Sequence, residues 1–201
     1  PTSTIFSMEL TGVMELNLTF LSTLFTDDLV RLSRPISYIA LTAASLDGKP
    51  HELELYMDVS AQHAVNSPSQ QVTWDHWKTT SGGATVDGVR LGSAVQHVLN
   101  SKGDRVNIDW GYLYLAVESS TLAGAWAGSA STSRSNFVAN GTILPSADIR
   151  KPRAASDDMP CLSVMQSMSV TTVGASSATF LLGYDETDAI YYFGDKYSGL
   201  W

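Results

Sequence analysis

The feature that most constrains the fold is a strict alternation of apolar and polar residues between positions 51 and 59. The apolar members are Leu53, Leu55, Met57 and Val59. Such a period of two is typical of a β-strand with one buried face. The same alternation recurs at 14–20 and 112–117. Segments bounded by turn residues predict further strands at 36–46, 71–77, 121–127, 163–173 and 178–184.

Turn sequences separate these segments and suggest how the strands pair. Asp47-Gly48-Lys49-Pro50 combines a dipeptide that favours tight hairpin turns with a proline that ends a strand. We therefore expect strands 36–46 and 51–59 to pair antiparallel. Gly103, between the apolar segments 95–99 and 106–110, predicts a second hairpin.

Evidence for helices is sparse. Segments 26–32 and 129–136 can each form a single turn, and no internal repeat is visible. The irregular segment 145–160, which carries several charges, is predicted to be a solvated surface loop. Many short strands with little helix predict an all-β fold, an antiparallel β-sandwich.

Charge limits the classes of partner. The 201 residues contain 12 Lys and Arg against 20 Asp and Glu, a formal net charge of -8. This balance disfavours binding to nucleic acid or to an anionic membrane surface. No apolar run approaches the roughly 20 residues that span a bilayer, so we expect neither nucleic acid nor membrane as a partner.

The residues that most often carry catalysis are few and scattered. The four histidines lie in unrelated segments, and the single cysteine, Cys161, is predicted to be buried and inert. The cluster Asp185-Glu186-Thr187-Asp188 can hold Ca²⁺ or form a solvated turn, and the turn is favoured. We therefore assign no catalytic residue, no metal site and no cofactor.

Aromatic residues offer a binding function instead. On one strand, Trp74 and Trp77 must point to opposite faces, one towards the core and the other towards solvent or an interface. Stacking of sugar rings on Trp77 or Trp126 is the alternative that this pattern leaves open.

Two triplets, Asn17-Leu18-Thr19 and Asn140-Gly141-Thr142, match the acceptor pattern for N-glycosylation. By themselves they favour secretion only weakly, because short patterns of this kind arise by chance in a chain rich in Ser and Thr.

Four segments together resemble the N-terminal β-sandwich region of the fungal glutaminase A family. They are LSRPISY at 32–38 with DGK at 47–49, LYMDVSA at 55–61, GDRVNIDWGYLY at 103–114, and GYDE at 183–186 with IYYFG at 190–194. They occur in the order of the family and are spread over most of residues 10 to 201. One departure is Gln62-His63, where the family often carries an acidic residue and Trp.

The resemblance implies that the parent enzyme hydrolyses glutamine to glutamate and ammonia and that its catalytic residues lie in a large helical toroid. Residues 1–190 would form the non-catalytic β-sandwich, and residues 191–201 would be a linker towards the toroid. It also implies secretion, with Asn17 and Asn140 as glycan acceptors. The expected contacts with the helical part are Asp109, Trp110, Tyr112, Tyr191, Tyr192 and Phe193.

Two rival functions remain. A carbohydrate-binding or adhesion module would use its exposed aromatic residues to bind glycans. A free-standing hydrolase would need an acid, a base and an oxyanion site within these 201 residues, and the sequence offers no convincing set.

Overall fold

A computed structural model describes residues 2–100 and 107–199 of the chain. The strands are β1 (Ser3–Leu10), β2 (Met14–Ser22), β3 (Ile36–Ser45), β4 (His51–Ser60), β5 (Gln71–Ser81), β6 (Ala84–Ser93), β7 (Tyr112–Glu118), β8 (Leu122–Ser129), β9 (Arg153–Ala154), β10 (Pro160–Val170), β11 (Ala175–Asp185), β12 (Ile190–Tyr192) and β13 (Asp195–Tyr197). The α-helices are α1 (Leu29–Leu32) and α2 (Ala130–Asn140), and a 3₁₀ turn spans Ala61–Ala64.

The strands form two layers. The large sheet has the order β1-β2-β3-β11-β7-β6-β5-β9, and the small sheet has the order β4-β10-β8. The pairings within both sheets are antiparallel. Strands β12 and β13 form a separate hairpin after the large sheet. The predicted all-β antiparallel sandwich with little helix is confirmed.

The main hydrophobic core lies between the two sheets. Leu115 on β7 and Leu162 on β10 are fully buried and belong to one cluster. Burying a side chain of this size contributes about 1.5–3 kcal/mol. Leu55, Met57 and Val59 of β4 pack against the same core, as the alternation in that segment predicts, and Leu53 packs against a second, smaller cluster.

The predicted pairing of β3 with β4 is wrong. β3 pairs with β2 and β11, whereas β4 pairs with β10 in the other sheet. The turn after β3 is present, with Gly48 at φ 71° and the Asp47 carboxylate accepting a bond from the backbone N–H of Lys49 at 3.0 Å. A turn reverses the chain, but it does not specify whether the next strand joins the same sheet or the facing one.

The predicted hairpin over 95–110 is also wrong where it can be compared. Residues 95–100 form bends and turns, residues 107–109 are irregular, and residues 101–106 lie outside the described residues. The side chain of Gln96 replaces a strand partner here. It donates to the carbonyl of Ser93 at 2.7 Å and accepts from the backbone N–H of Gly111.

The centre of segment 145–160 is not a solvated loop. Arg153 lies on β9, paired with β5, and only 6% of it is exposed. Its guanidinium donates to Asp148 at 3.1 Å and lies 5.4 Å from the centre of the Trp74 ring. The ion pair and the indole face offset part of the cost of burying this charge, since Nε and Nη2 of Arg153 have no hydrogen-bond partner among the described residues.

Helix α2 forms a third layer on the outward side of the small sheet. Ser129 caps its first turn, and Gly141 ends the helix in a left-handed conformation. With 11 residues, the helix is longer than the single turn that the sequence predicts. Among the described residues, neither this helix nor α1 is long and apolar enough to cross a membrane.

Candidate functional site

The outward side of β5, β6, β7, β11, β3 and β2, here called the outer face, turns away from the small sheet. A sheet face in contact with water normally carries polar residues. Yet one row of paired residues across the outer face contains no charged side chain. From β5 to β2 this row consists of Trp77, Gly88, Ala116, Leu181, Tyr38 and Leu21. Within this chain Gly88 and Ala116 are buried and the other four residues are half-buried, so the row is an uncharged, partly covered strip.

A cluster of aromatic rings occupies the middle of the outer face. The ring centres of Trp77 and Tyr114 are 4.9 Å apart in an edge-to-face arrangement. The guanidinium of Arg90 lies 4.5 Å from the centre of the Tyr112 ring, a cation–π contact. On β6, a Cβ at Gly92 would lie 2.5 Å from the carbonyl oxygen of Gly111 and 2.9 Å from the Tyr112 ring, so a glycine is needed there. These rings form a packed platform, half-buried within this chain.

Burial raises the pKa of Tyr114, although the nearby Arg90 opposes the shift. The hydroxyl of Tyr114 therefore stays protonated at neutral pH and can donate a hydrogen bond. It is suited to recognising an acceptor rather than to acting as a base.

A pocket of about 280 Å³ opens at one end of the outer face, next to α1. It is lined by Thr23, Phe25, Arg31, Arg34, Ile36 and Tyr38. Ile36 shares a cross-strand row with Tyr114, with Gly183 of β11 between them, so the pocket lies on the same face of the sheet as the aromatic platform. The Arg31 side chain pairs with Asp28 at 3.3 Å.

The residues after β11 fold into the tail hairpin, formed by β12 and β13. Tyr191, Tyr192 and Phe193 are exposed by 63%, 61% and 90%. The rings of Tyr192 and Phe193 contact each other, with centres 4.4 Å apart. The segment predicted as a linker therefore contains ordered strands that present aromatic side chains to solvent, while residues 200 and 201 lie outside the described residues.

The structure separates the remaining predicted contact residues from this exposed set. Asp109 and Trp110 are buried, whereas Tyr112 is half-buried on the outer face. The Asp109 carboxylate accepts a bond from Gln70 at 2.7 Å and lies 2.9 Å from Nδ1 of His97.

Trp110 connects the body of the sandwich to the tail. Its indole N–H donates to the carbonyl of Asp188 at 3.1 Å, and its own carbonyl accepts from the Tyr184 hydroxyl at 2.8 Å. These bonds hold the chain just before the tail hairpin. Trp110 therefore anchors the segment that leads into the tail hairpin, which carries Tyr191 and Tyr192.

The two glycosylation candidates occupy different surroundings. Asn140 is exposed at the last turn of α2, and its amide donates to the Asn136 side chain at 2.9 Å. Asn17 lies half-buried in the middle of β2, where its carbonyl oxygen accepts from the Ser7 hydroxyl at 2.6 Å.

Of the two tryptophans considered for stacking on sugar rings, Trp126 is not accessible. Trp126 is only 2% exposed, and its indole N–H donates to the carbonyl of Ser146 at 2.7 Å. Trp74 is in the core and Trp77 on the outer face, which confirms that the two point in opposite directions.

A polar network under α2 was not recognised in the sequence. The hydroxyl of Tyr56 donates to Asp58 at 2.8 Å and lies within 3.1 Å of the Ser133 and Ser163 hydroxyls. Arg134 donates two bonds to Asp58, at 2.6 and 2.8 Å. Burial alone would raise the pKa of Asp58, but the bonds from Arg134 and Tyr56 outweigh it and lower the pKa. The signal available in the sequence was the polar side of the β4 alternation.

Over residues 2–100 and 107–199, the titratable groups do not form a recognisable catalytic set. Among the described residues, no group of three or more His, Cys, Asp or Glu side chains is placed to hold a metal ion. Burial raises the pKa of Cys161 to about 11, so its thiol stays protonated. In the cluster after β11, the Asp185 carboxylate accepts from the backbone N–H of Thr187 at 2.9 Å, the geometry of a local turn.

Comparison with known proteins gives a family and a relative for this chain. The model of a family described as a domain of unknown function, DUF5127, matches residues 2–201. The chain belongs to the DUF5127 family. This chain is similar to glutaminase A from Aspergillus oryzae (strain ATCC 42149 / RIB 40), with 28% identity over 194 residues. The match covers 96% of this chain and 27% of that glutaminase. The resemblance to the glutaminase A family is confirmed, and this DUF5127 chain spans about a quarter of the length of its curated relative.

Proposed function

We propose that this DUF5127 chain is the non-catalytic β-sandwich portion of a secreted, glutaminase-like amidohydrolase. The parent enzyme converts glutamine to glutamate and ammonia, and its helical part carries the catalysis. The observation that carries the proposal is the match to glutaminase A, which spans nearly all of this chain but only 27% of that protein.

The surfaces of the sandwich support a role in positioning a partner. The outer face and the tail hairpin together present aromatic residues next to the end of β11, where the chain leaves the large sheet. In the proposed enzyme these two surfaces contact the helical part and hold one side of its active-site cleft.

An assay of ammonia release from glutamine tests the proposal. The longer protein, meaning the proposed parent enzyme with its helical part, should release ammonia. The 201-residue chain alone should not. Release by the 201-residue chain alone would make it the catalytic unit, and a longer protein that leaves glutamine intact would refute the glutaminase assignment.

Secretion is proposed together with glycans on Asn17 and Asn140. Enzymatic deglycosylation in heavy-oxygen water, followed by mass spectrometry, marks each occupied asparagine. We expect higher occupancy at Asn140, because its side chain is exposed, whereas Asn17 is half-buried in a sheet. Unmodified asparagines at both positions in protein secreted by its natural host would contradict this part of the proposal.

The second candidate is a carbohydrate-binding module that uses the ring cluster of Trp77 and Tyr114. Binding to a glycan array that Trp77→Ala abolishes would favour it, and the test must use the 201-residue chain because the helical part would cover this face. Array binding that is unchanged in the variant would exclude the Trp77 site.

A further inference from the structure

The pocket beside α1 concentrates positive charge on an acidic protein. The chain carries a net charge of -8, yet the pocket is lined by Arg31 and Arg34 and by no carboxylate. Arg31 is already paired with Asp28. Within the part of the chain that the structure describes, no hydrogen bond or ion pair engages the guanidinium of Arg34.

Apart from Thr23, the other residues that line the pocket are apolar or aromatic. Ile36 and Tyr38 form its floor on β3, and Phe25 lies under the Arg31 guanidinium, 5.9 Å from its centre. An apolar floor beside a free guanidinium suits a carboxylate carried on a short apolar stem, because arginine binds carboxylates through paired hydrogen bonds.

We propose that this pocket receives the carboxylate of an acidic side chain from the helical part of the same enzyme. The inference rests on the proposed function and names the chemistry of one contact. The pocket adjoins the outer face, and the chain accounts for about a quarter of the relative that it matches, so a large remaining part is available to supply the side chain. A free amino acid fits less well, because its ammonium group would face two guanidinium groups.

The test uses acetate as a probe of the empty pocket and follows the methyl signal of Ile36 by NMR. Acetate should shift this signal saturably in the 201-residue chain, and acetamide, a neutral molecule of the same shape, should not. Arg34→Gln should weaken the apparent affinity about tenfold, the factor expected for one charge-assisted hydrogen bond. Arg34→Lys should retain part of it.

Lys49→Gln is the matched control, since it removes one positive charge from the exposed turn between β3 and β4. It should leave the acetate response unchanged. An equal loss in both variants would mean that acetate responds to net charge alone, which would refute a built pocket.

The longer protein identifies the occupant. If an acidic side chain fills the pocket, acetate should no longer shift the Ile36 signal in the longer protein. A shift of the same size in both proteins would refute this occupant and identify a site for a free carboxylate. No shift in the 201-residue chain would overturn the inference altogether. Ammonia release is measured separately, so a failure of the glutaminase assignment is recognised independently.

Discussion

At the scale of single residues, the ion pair between Arg134 and Asp58 is the contact whose loss the structure predicts most directly. Arg134→Met keeps the aliphatic stem but leaves the Asp58 carboxylate, only 12% exposed, without its guanidinium. We expect the free energy of unfolding at pH 7 to fall by about 1–2 kcal/mol, a value kept low because half of the Arg134 side chain is in water. Urea denaturation measures it.

The same variant has a defined pH dependence. The pKa of Asp58 is lowered in the folded chain, so the unfolded chain binds more protons as the pH falls. The contribution of the pair is complete above the ordinary pKa of Asp, about 4, and is lost as the pH falls through the lowered pKa. The difference between wild type and variant should therefore narrow in acid. Arg31→Met, which breaks an exposed pair, serves as control and should cost at most about 0.5 kcal/mol. A difference that does not vary with pH would contradict the ion-pair explanation.

At the scale of elements, α2 is held on the small sheet by one aromatic contact and the network beneath it. The ring of Phe137 stacks on Tyr56 with centres 4.9 Å apart. Phe137→Ala should cost about 1–3 kcal/mol and raise amide hydrogen exchange in α2 more than in β10. Val138→Ala, at a neighbouring position that is 85% exposed, should change neither quantity. Equal exchange rates in α2 for the two variants would show that the stacking does not hold the helix.

The elements also show what the sequence can and cannot specify. Alternation predicts β4 and β7 because burial on one face imposes the period of two. β1 was missed although Phe6, Met8 and Leu10 alternate with Ser7 and Glu9. All eight of its residues are exposed, so burial of one face does not account for this short pattern. The pairing of β3 was missed because its partner β11 lies far along the chain and turn chemistry carries no information about it. The pocket beside α1 was missed for the same reason, since it forms only when the segment after β2 folds back over β3.

At the scale of the whole molecule, the layers separate two kinds of surface. Helix α2, with Asn140 at its end, covers the small sheet on one side. The outer face of the large sheet lies on the opposite side, and Asp185 at the end of β11 pairs with Tyr112 on that sheet just before the chain enters the tail hairpin. A glycan on Asn140 would therefore leave the outer face and the tail hairpin free for the helical part. The exposed aromatic residues therefore lie on the side of the sandwich opposite α2, where the helical part is proposed to bind.

The tail hairpin gives the last prediction, which compares two lengths of the protein. Phe193 is 90% exposed and has φ 48°, a left-handed conformation that asparagine tolerates well. Phe193→Asn should change the unfolding free energy of the 201-residue chain by less than about 0.5 kcal/mol. In the longer protein it should cost about 1–3 kcal/mol, because the ring would be buried against the helical part. Val173→Asn is the matched control, an equally exposed apolar residue in the turn before β11, at the opposite end of that strand from the tail, and it should have no effect in either protein. Calorimetry of both variants, each in the 201-residue chain and in the longer protein, measures these effects. Equal effects of Phe193→Asn in the two proteins would show that the tail hairpin does not contact the helical part.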